Sequence, residues 1–364
     1  MSSAWEYYLT PTLTLSLLLA CEAPPTLSSW FASWALYLTR PALLRQTLEW
    51  ELEERQGATG TVSAGTLRVV DYARWKALKG ETSTSAPNSN GYMSLSSAAS
   101  PGAPGDDDDD DEELSRLIAT LEGIAIPSPA HDLLLSSLAT VRRTYLLTAA
   151  AQERASTPFP DDSSADEKLR ELWGLLRPER SEWKEVKGKE WQEVGFQNVS
   201  PATDFRAVGM LGLDAFLNFA HTYGERAAEM VEESVGGGEH WYPLALASIH
   251  VTAFVLDMAK KRDLQLYLLR ILPASSIDTD TPSPRSSSSS SSSAALEPLL
   301  SLSSSLLSLF HAYWLSHQPQ PTVMQFESVF RDFESRMRPW IRRGVVDGRA
   351  LGWRDDDEGA LKLE

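Results

Sequence analysis

Val208 to Tyr223 reads VGMLGLDAFLNFAHTY. Apolar residues fall on nearly every face of this stretch at helical spacing, among them Leu211, Leu213, Phe216, Leu217 and Phe219. An amphipathic surface helix leaves one face polar, so this one is predicted as a central helix buried all round. Pro243 to about Lys261 reads the same way, and Pro243 suits the first helical turn, where a missing N–H costs nothing. Upstream, Leu134, Leu138, Val141 and Tyr145 recur at i, i+4, i+7 and i+11, which predicts an amphipathic helix from His131 to about Gln152. Leu169, Leu172, Trp173 and Leu176 make one stripe, with Ser164 and Glu167 as a capping box before it and Pro178 limiting its end. Phe326, Val329, Phe330, Phe333 and Met337 define a last long helix that Thr322 and Gln325 are placed to cap. No Asn-Gly or similar turn separates two alternating runs; Asn90-Gly91 lies in a Ser-rich stretch. The fold class expected is all-α: a single multi-helix domain with disordered loop insertions.

Composition sets the boundaries. The chain has 364 residues, 33 Lys and Arg against 50 Asp and Glu, and a formal charge of −17. That balance opposes the phosphate-neutralising surface on which nucleic-acid binding depends, so no nucleic-acid partner is expected. Asp106 to Asp111 with Glu112 and Glu113 form one acidic run, a composition that ordinarily marks a solvated segment. Residues 57–111 are read as a disordered acidic and Ser-Pro-Gly linker, and 274–295, which hold the run Ser286 to Ser293, as a Ser-rich disordered insertion. Residues 1–56 then form an N-terminal helical segment packing on the core, 112–345 the main domain, and 346–364 an acidic tail.

A search for chemistry returns mostly exclusions. There is no G-x-x-x-x-G-K-[ST] phosphate loop, no G-x-G-x-x-G after a strand and no G-x-S-x-G elbow. Cys21 is the single cysteine, and His131, His221, His240, His250, His311 and His317 are scattered without an H-E-x-x-H pair, so neither a disulfide nor a metal site is expected. A reducing, cytoplasmic setting fits. Leu13 to Ala20 imitates a short signal core, but no Lys or Arg precedes it and Glu6 stands there instead; a buried helix or an interfacial segment is the expectation. No run reaches the roughly 18 to 20 apolar residues of a membrane-spanning helix. The aromatic N-terminus (Trp5, Tyr7, Tyr8, Trp30, Phe31, Trp34) suits peripheral contact with endomembranes, although its scarcity of basic residues argues against anionic lipid.

One stretch carries candidate chemistry. Glu190 to Leu213 reads EWQEVGFQNVSPATDFRAVGMLGL. Trp191 anchors it, Gly195-Phe196-Gln197 continues it, Ser200-Pro201 turns it, and Thr203-Asp204-Phe205-Arg206 enters the buried helix. Gly195, Gly209 and Gly212 permit close backbone approach. Trp191, Phe196 and Phe205 are expected to be core anchors, and Gln197 and Thr203 loop hydrogen-bonders and caps. Asp204 is placed to orient Arg206, to cap the helix or to bind a neighbouring amide. A guanidinium held on so rigid a support suits a carboxylate or a phosphate. An exposed Arg206 favours that role; one buried against a carboxylate is structural.

This segment resembles the signature of the ELMO (engulfment and cell motility) domain family, W-x-x-x-G-F-Q-x-x-x-P-x-T-D-F-R followed by a G-x-L-G-L-like helix. The matching residues are Trp191, Gly195, Phe196, Gln197, Pro201, Thr203, Asp204, Phe205, Arg206, Gly209, Leu211, Gly212 and Leu213. Leu172-Trp173 upstream, the Tyr242-Pro243 helix, and His311-Ala312-Tyr313-Trp314 agree with the family, so the resemblance covers roughly residues 130 to 343. It implies an all-helical ELMO-like domain that acts on small GTPases. In the short members the activity is GTPase activation toward Arf- and Arl-type GTPases, with the arginine at the position of Arg206 as the catalytic residue and with GTP and Mg²⁺ belonging to the partner. In longer members the domain is a scaffold that works with an exchange factor, which is the alternative function and partner here. Three positions depart from the pattern: Asn198, where glycine is frequent; Ser200, where an acid is common; and Ala207, where glycine normally follows the arginine.

Overall fold

The apolar stripes become helices. The computed structural model describes residues 42–55, 62–82, 107–159, 163–180, 187–235, 241–272, 290–355 and 361–363. Among these the helices are α1 (Ala42–Arg55), α2 (Ala64–Thr82), α3 (Asp107–Glu122), α4 (Pro129–Ser156), α5 (Ser163–Leu176), α6 (Pro201–Asp204), α7 (Gly209–Tyr223), α8 (Glu225–Val235), α9 (Leu244–Lys260), α10 (Gln265–Ile271), α11 (Ser290–Ser316) and α12 (Phe326–Arg342). Strands β1 (Trp353–Asp355) and β2 (Leu361–Leu363) form a two-stranded antiparallel ladder with Trp353 opposite Leu363. The described residues divide into two compact units: those up to Leu146 with 266–272, and Leu147–Gln265 with 290–363.

The first unit is built on α1, α2, α3 and the first part of α4. Leu44, Leu48, Leu67, Val70, Ile118, Leu134 and Leu138 are buried together. The carboxylate of Glu51 is buried too, and accepts from the Ser63 amide at 2.9 Å, the Ser63 hydroxyl at 2.9 Å and the Thr66 hydroxyl at 2.5 Å, which ties α1 to the start of α2. Burial of that carboxylate is tolerated because three donors replace its water.

This unit corrects the expectation that residues 57–111 are a linker without structure. Ala64–Thr82 is helical, and Leu67, Val70, Ala73 and Ala77 supply an apolar stripe on one face. Helix α3 begins inside the acidic run, at Asp107. Carboxylates there face the positive end of the helix dipole and favour a start. The domain boundary differs as well. Residues 112–146 belong with the first unit because Leu133, Leu134, Leu138 and Val141 fill its core. Residues 1–41, with the signal-like run and most of the aromatic N-terminus, lie outside the described residues, as do 83–106 and 273–289.

The second unit has α7 at its centre. The helix contacts α5, α8, α9 and α11, and every residue from Gly209 to Phe216 is buried. The buried side chains of α12 follow the expected stripe, Phe326, Val329, Phe330, Phe333, Met337 and Ile341. Phe330 and Phe333 meet Phe310 of α11 edge-on at 5.2 and 5.4 Å between ring centroids. Each fully buried phenylalanine contributes about 1.5 to 3 kcal/mol. The expected capping box is present: Thr322 and Gln325 bond each other across the turn before α12. Ser290 to Ala295, assigned to the serine-rich insertion, instead form the first turns of α11. Beyond α12, in the segment read as an acidic tail, Leu351 and Trp353 are buried.

Two buried polar clusters inside this unit are matched. Asp214 of α7 is buried between Arg154 Nε at 2.6 Å and Lys168 Nζ at 2.5 Å. Tyr242 and His311 are buried side by side, the tyrosine oxygen 2.7 Å from Nδ1, while Nε2 of the same ring lies 2.7 Å from Glu233. No helix of the described residues is long and apolar enough to cross a membrane.

Candidate functional site

The site is a loop braced from behind by aromatic rings. A short 3-10 turn, Lys189–Val194, carries Trp191 inward, where it meets Trp173 of α5 at 5.3 Å and Phe196 at 5.3 Å, both edge-on. Phe196 reaches Phe205 at 5.4 Å, and Phe205 stacks on Phe159 at 5.5 Å. Trp191, Phe196 and Phe205 are all buried, as core anchors should be. Edge-to-face contacts of this kind stabilise by about 0.5 to 1.5 kcal/mol beyond the area they bury.

Two glycines let the backbone come this close. Gly195 has φ +96°, and a Cβ there would lie 2.5 Å from the Leu244 nitrogen at the start of α9. Gly209 has φ +51°, and a Cβ would lie 2.5 Å from the Thr157 carbonyl oxygen, with that of Ala155 closer still. The same Thr157 carbonyl accepts from the Met210 amide at 3.1 Å. Both positions therefore join the site to neighbouring backbone that no side chain leaves room for.

Behind the loop, Arg177 is buried and its guanidinium donates to the Glu193 carbonyl at 3.0 Å. Gly188 donates to the Val199 carbonyl at 2.9 Å, closing the loop at its base.

Pro201 is buried at the first position of α6, and the chain then runs through α6 into a second 3-10 turn, Phe205–Ala207. That turn splits its side chains: Phe205 enters the core, while Arg206 and Ala207 are exposed. Arg206 makes no ion pair and no side-chain hydrogen bond among the described residues. Of the two outcomes expected for this arginine, the structure shows the exposed one.

Asp204 does not hold Arg206. Its carboxylate accepts from the Gln197 amide at 2.7 Å, from the Asn198 amide at 3.2 Å and from the side-chain amide of Asn198. Of its three expected roles it performs the third, binding neighbouring amides. Gln197 and Thr203 bond through the main chain, the Gln197 carbonyl accepting from Gln192 at 3.2 Å and the Thr203 amide donating to Ser200 at 3.0 Å. Their side chains are exposed and cap nothing among the described residues, in contrast to the sequence expectation. Ser200 stands at the N-cap of α6 but makes no side-chain cap bond. Among the described residues Arg262 is the only non-glycine with positive φ, so Ala207 sits in ordinary backbone where glycine is not required.

The ELMO/CED-12 family profile matches residues 149–330, half of the chain and the whole of this site. The chain belongs to the ELMO/CED-12 family. Among curated relatives, it is 26% identical over 205 residues to ELMO domain-containing protein B of Dictyostelium discoideum, covering 56% of this chain and 63% of that one. It is 28% identical over 198 residues to human ELMO domain-containing protein 2, covering 54% and 59%. A shorter stretch of 100 residues is 37% identical to ELMO domain-containing protein A of Dictyostelium discoideum, 27% of this chain and 10% of that one. The chain thus spans less than two thirds of the length of these relatives. No solved structure matches it significantly.

Within the ELMO/CED-12 match, the residues brought together are Trp191, Gly195, Phe196, Gln197, Pro201, Thr203, Asp204, Phe205, Arg206 and Gly209. Of the first unit's described residues, only 266–272 fall within the match. Sequence reasoning missed Gln192 and Arg177, whose side chains donate to main-chain carbonyls of the motif, and the carbonyl of Thr157, which accepts from Met210. A main-chain acceptor leaves no residue type to read as its partner. No group of three or more His, Cys, Asp or Glu is placed to hold a metal ion among the described residues.

Proposed function

We propose that this protein accelerates GTP hydrolysis on a small GTPase of the Arf or Arl type by presenting Arg206 to the nucleotide. Hydrolysis builds charge on the β- and γ-phosphate oxygens in its transition state. A planar guanidinium inserted from outside can bond two of those oxygens at once. An arginine of this kind raises the rate by about 10³ to 10⁵, or roughly 4 to 7 kcal/mol of transition-state stabilisation. The GTPase supplies the nucleotide, the Mg²⁺ and the group that orients water, so the proposal asks nothing of this chain but the arginine and the surface around it.

The observation that carries the reading is the split of the Phe205–Ala207 turn: an exposed arginine with no carboxylate partner among the described residues, fixed to the core by the ring beside it. A structural arginine would be paired, as Arg177 and Arg154 are. Ala207 adds no backbone strain, which removes one objection that the departure from glycine raises. The alternative is a scaffold that binds a GTPase or an exchange factor without catalysis.

Single-turnover GTP hydrolysis by a panel of Arf and Arl GTPases, with the wild-type chain and with Arg206→Lys, separates the two. The proposal expects strong acceleration of at least one GTPase and its loss in the lysine variant, which keeps the charge but not the planar fork. Binding of a GTP-loaded member without acceleration supports the scaffold, and Ala207→Gly then tests whether the extra methyl is responsible.

A further inference from the structure

We infer that Asp204 is a positioning residue, and that the loop it clamps forms, with Arg206, the edge on which a GTP-bound small GTPase docks. The inference rests on the proposed function and specifies the contact surface of that same site.

The chemistry of the loop leads there. Gln197 and Asn198 offer two successive amide hydrogens and one side-chain amide to a single carboxylate. Gln197 is held at its carbonyl as well, by Gln192. A surface loop with its main chain fixed this fully has already lost the freedom that a binding partner would otherwise have to remove. What it presents outward is not used internally. Gln197, Thr203, Arg206 and Ala207 are exposed, and Val199 at the loop tip is an apolar side chain 44% exposed. None of these five side chains bonds to another described residue.

The local charge at Arg206, unlike the net charge of the chain, suits a phosphate-bearing partner. The chain carries a net charge of −17, which repels a nucleotide at long range. Asp204 stands two positions from Arg206 and is the carboxylate nearest to it in sequence. Its oxygens are directed onto the Gln197 and Asn198 amides and not onto Arg206, whose guanidinium has no ion-pair partner among the described residues. A clamp through Asp204 therefore does two things at once: it orders the loop, and it keeps the neighbouring guanidinium free for phosphate.

The test uses the full chain and the Arf and Arl panel loaded with a non-hydrolysable GTP analogue. Affinity is measured by titration, rate by single-turnover hydrolysis at saturating chain, and folding by thermal melts. Freeing two loop residues costs ordering entropy, so Asp204→Ala is expected to weaken binding about tenfold. The melting temperature should stay nearly unchanged, because the loop is exposed. Asp204→Asn keeps an acceptor for the backbone amides and should restore most of the affinity. Val199→Asp should abolish binding with the fold intact.

Affinity of Asp204→Ala equal to wild type would overturn the inference. So would loss of binding that merely follows a lowered melting temperature while Val199→Asp binds normally, and so would failure of every GTPase to bind the wild-type chain. Arg206→Lys reports separately. If it keeps full acceleration the arginine mechanism falls, whereas weakened binding of Asp204→Ala and Val199→Asp still establishes the edge.

Discussion

The imidazole of His311, on α11, reaches the carboxylate of Glu233, on α8, at 2.7 Å between Nε2 and the oxygen. Its other nitrogen faces the buried hydroxyl of Tyr242. The neutral ring satisfies both, with Nδ1 accepting from the tyrosine and Nε2–H donating to the carboxylate. Burial holds the His311 pKa below the usual histidine value, against the pull of Glu233 in the other direction. An unfolded histidine takes up its proton near pH 6.5, so the unfolded state binds more protons around and below that point and stability is lost as the pH falls. Glu233, lowered by its bond to Arg226, extends the loss into the carboxylate range. The melting temperature should therefore drop between pH 7 and 5.5, and His311→Gln should show a shallower drop. The remaining slope comes from His250, which burial also lowers, where it sits edge-on between Phe326 and Phe330. An identical slope in wild type and His311→Gln would remove His311 from this account.

Asp214 offers a second test. Removing its charge leaves Arg154 and Lys168 facing a neutral group. Their side chains keep 26% and 32% of their surface in water, which limits the penalty. Asp214→Asn should lose about 1 to 3 kcal/mol, below the range for severing a fully buried pair. Urea unfolding with an unchanged slope and a lower midpoint is the expected result; an unchanged midpoint contradicts it.

Gly195→Ala should be far more harmful than Gly352→Ala. Both glycines have positive φ, but a Cβ at Gly352 meets nothing within 4 Å. The second change carries only backbone strain, about 1 to 3 kcal/mol. At Gly195 the methyl also runs into the Leu244 amide, and either the loop or α9 must move. Comparing soluble yield and melting temperature of the two variants decides the matter, and equal behaviour counts against the close approach.

Arg206→Ala and Arg177→Ala should separate just as clearly. The first truncates an exposed side chain without a described partner and should change stability by no more than about 0.5 kcal/mol. The second removes a buried guanidinium that donates to the Glu193 carbonyl, and should cost about 1 to 3 kcal/mol. A strongly destabilised Arg206→Ala, seen in a thermal melt, would give that arginine a structural role.

Much of this was legible in the sequence. The run from Leu211 to Phe219 is interrupted only by Asp214 and Asn218 and has too narrow a polar face for a surface helix, so α7 had to be central. Thr322 and Gln325 announced their cap by spacing alone. Within Ala64–Thr82, Leu67, Val70, Ala73 and Ala77 repeat at helical intervals, but the Ser- and Pro-rich residues that follow mask that signal. The Tyr242–His311–Glu233 chain was not legible, because its members are 69 and 78 positions apart and only the fold brings them together. The same holds for Asp204. Its sequence neighbours allow three partners, and the choice among them depends on how the Gln197 loop folds back.

The path of the chain between its two compact units has a practical consequence. It passes from one to the other after Leu146, back after Gln265, and across again between Ile271 and Ser290. Neither unit is a single uninterrupted stretch of the gene. A truncation that starts at the matched family segment keeps α10, which belongs with the other unit, and strips away its companions. A crossover in recombination that swapped one unit would carry off part of the second. A design that alters one unit therefore has to carry the other with it.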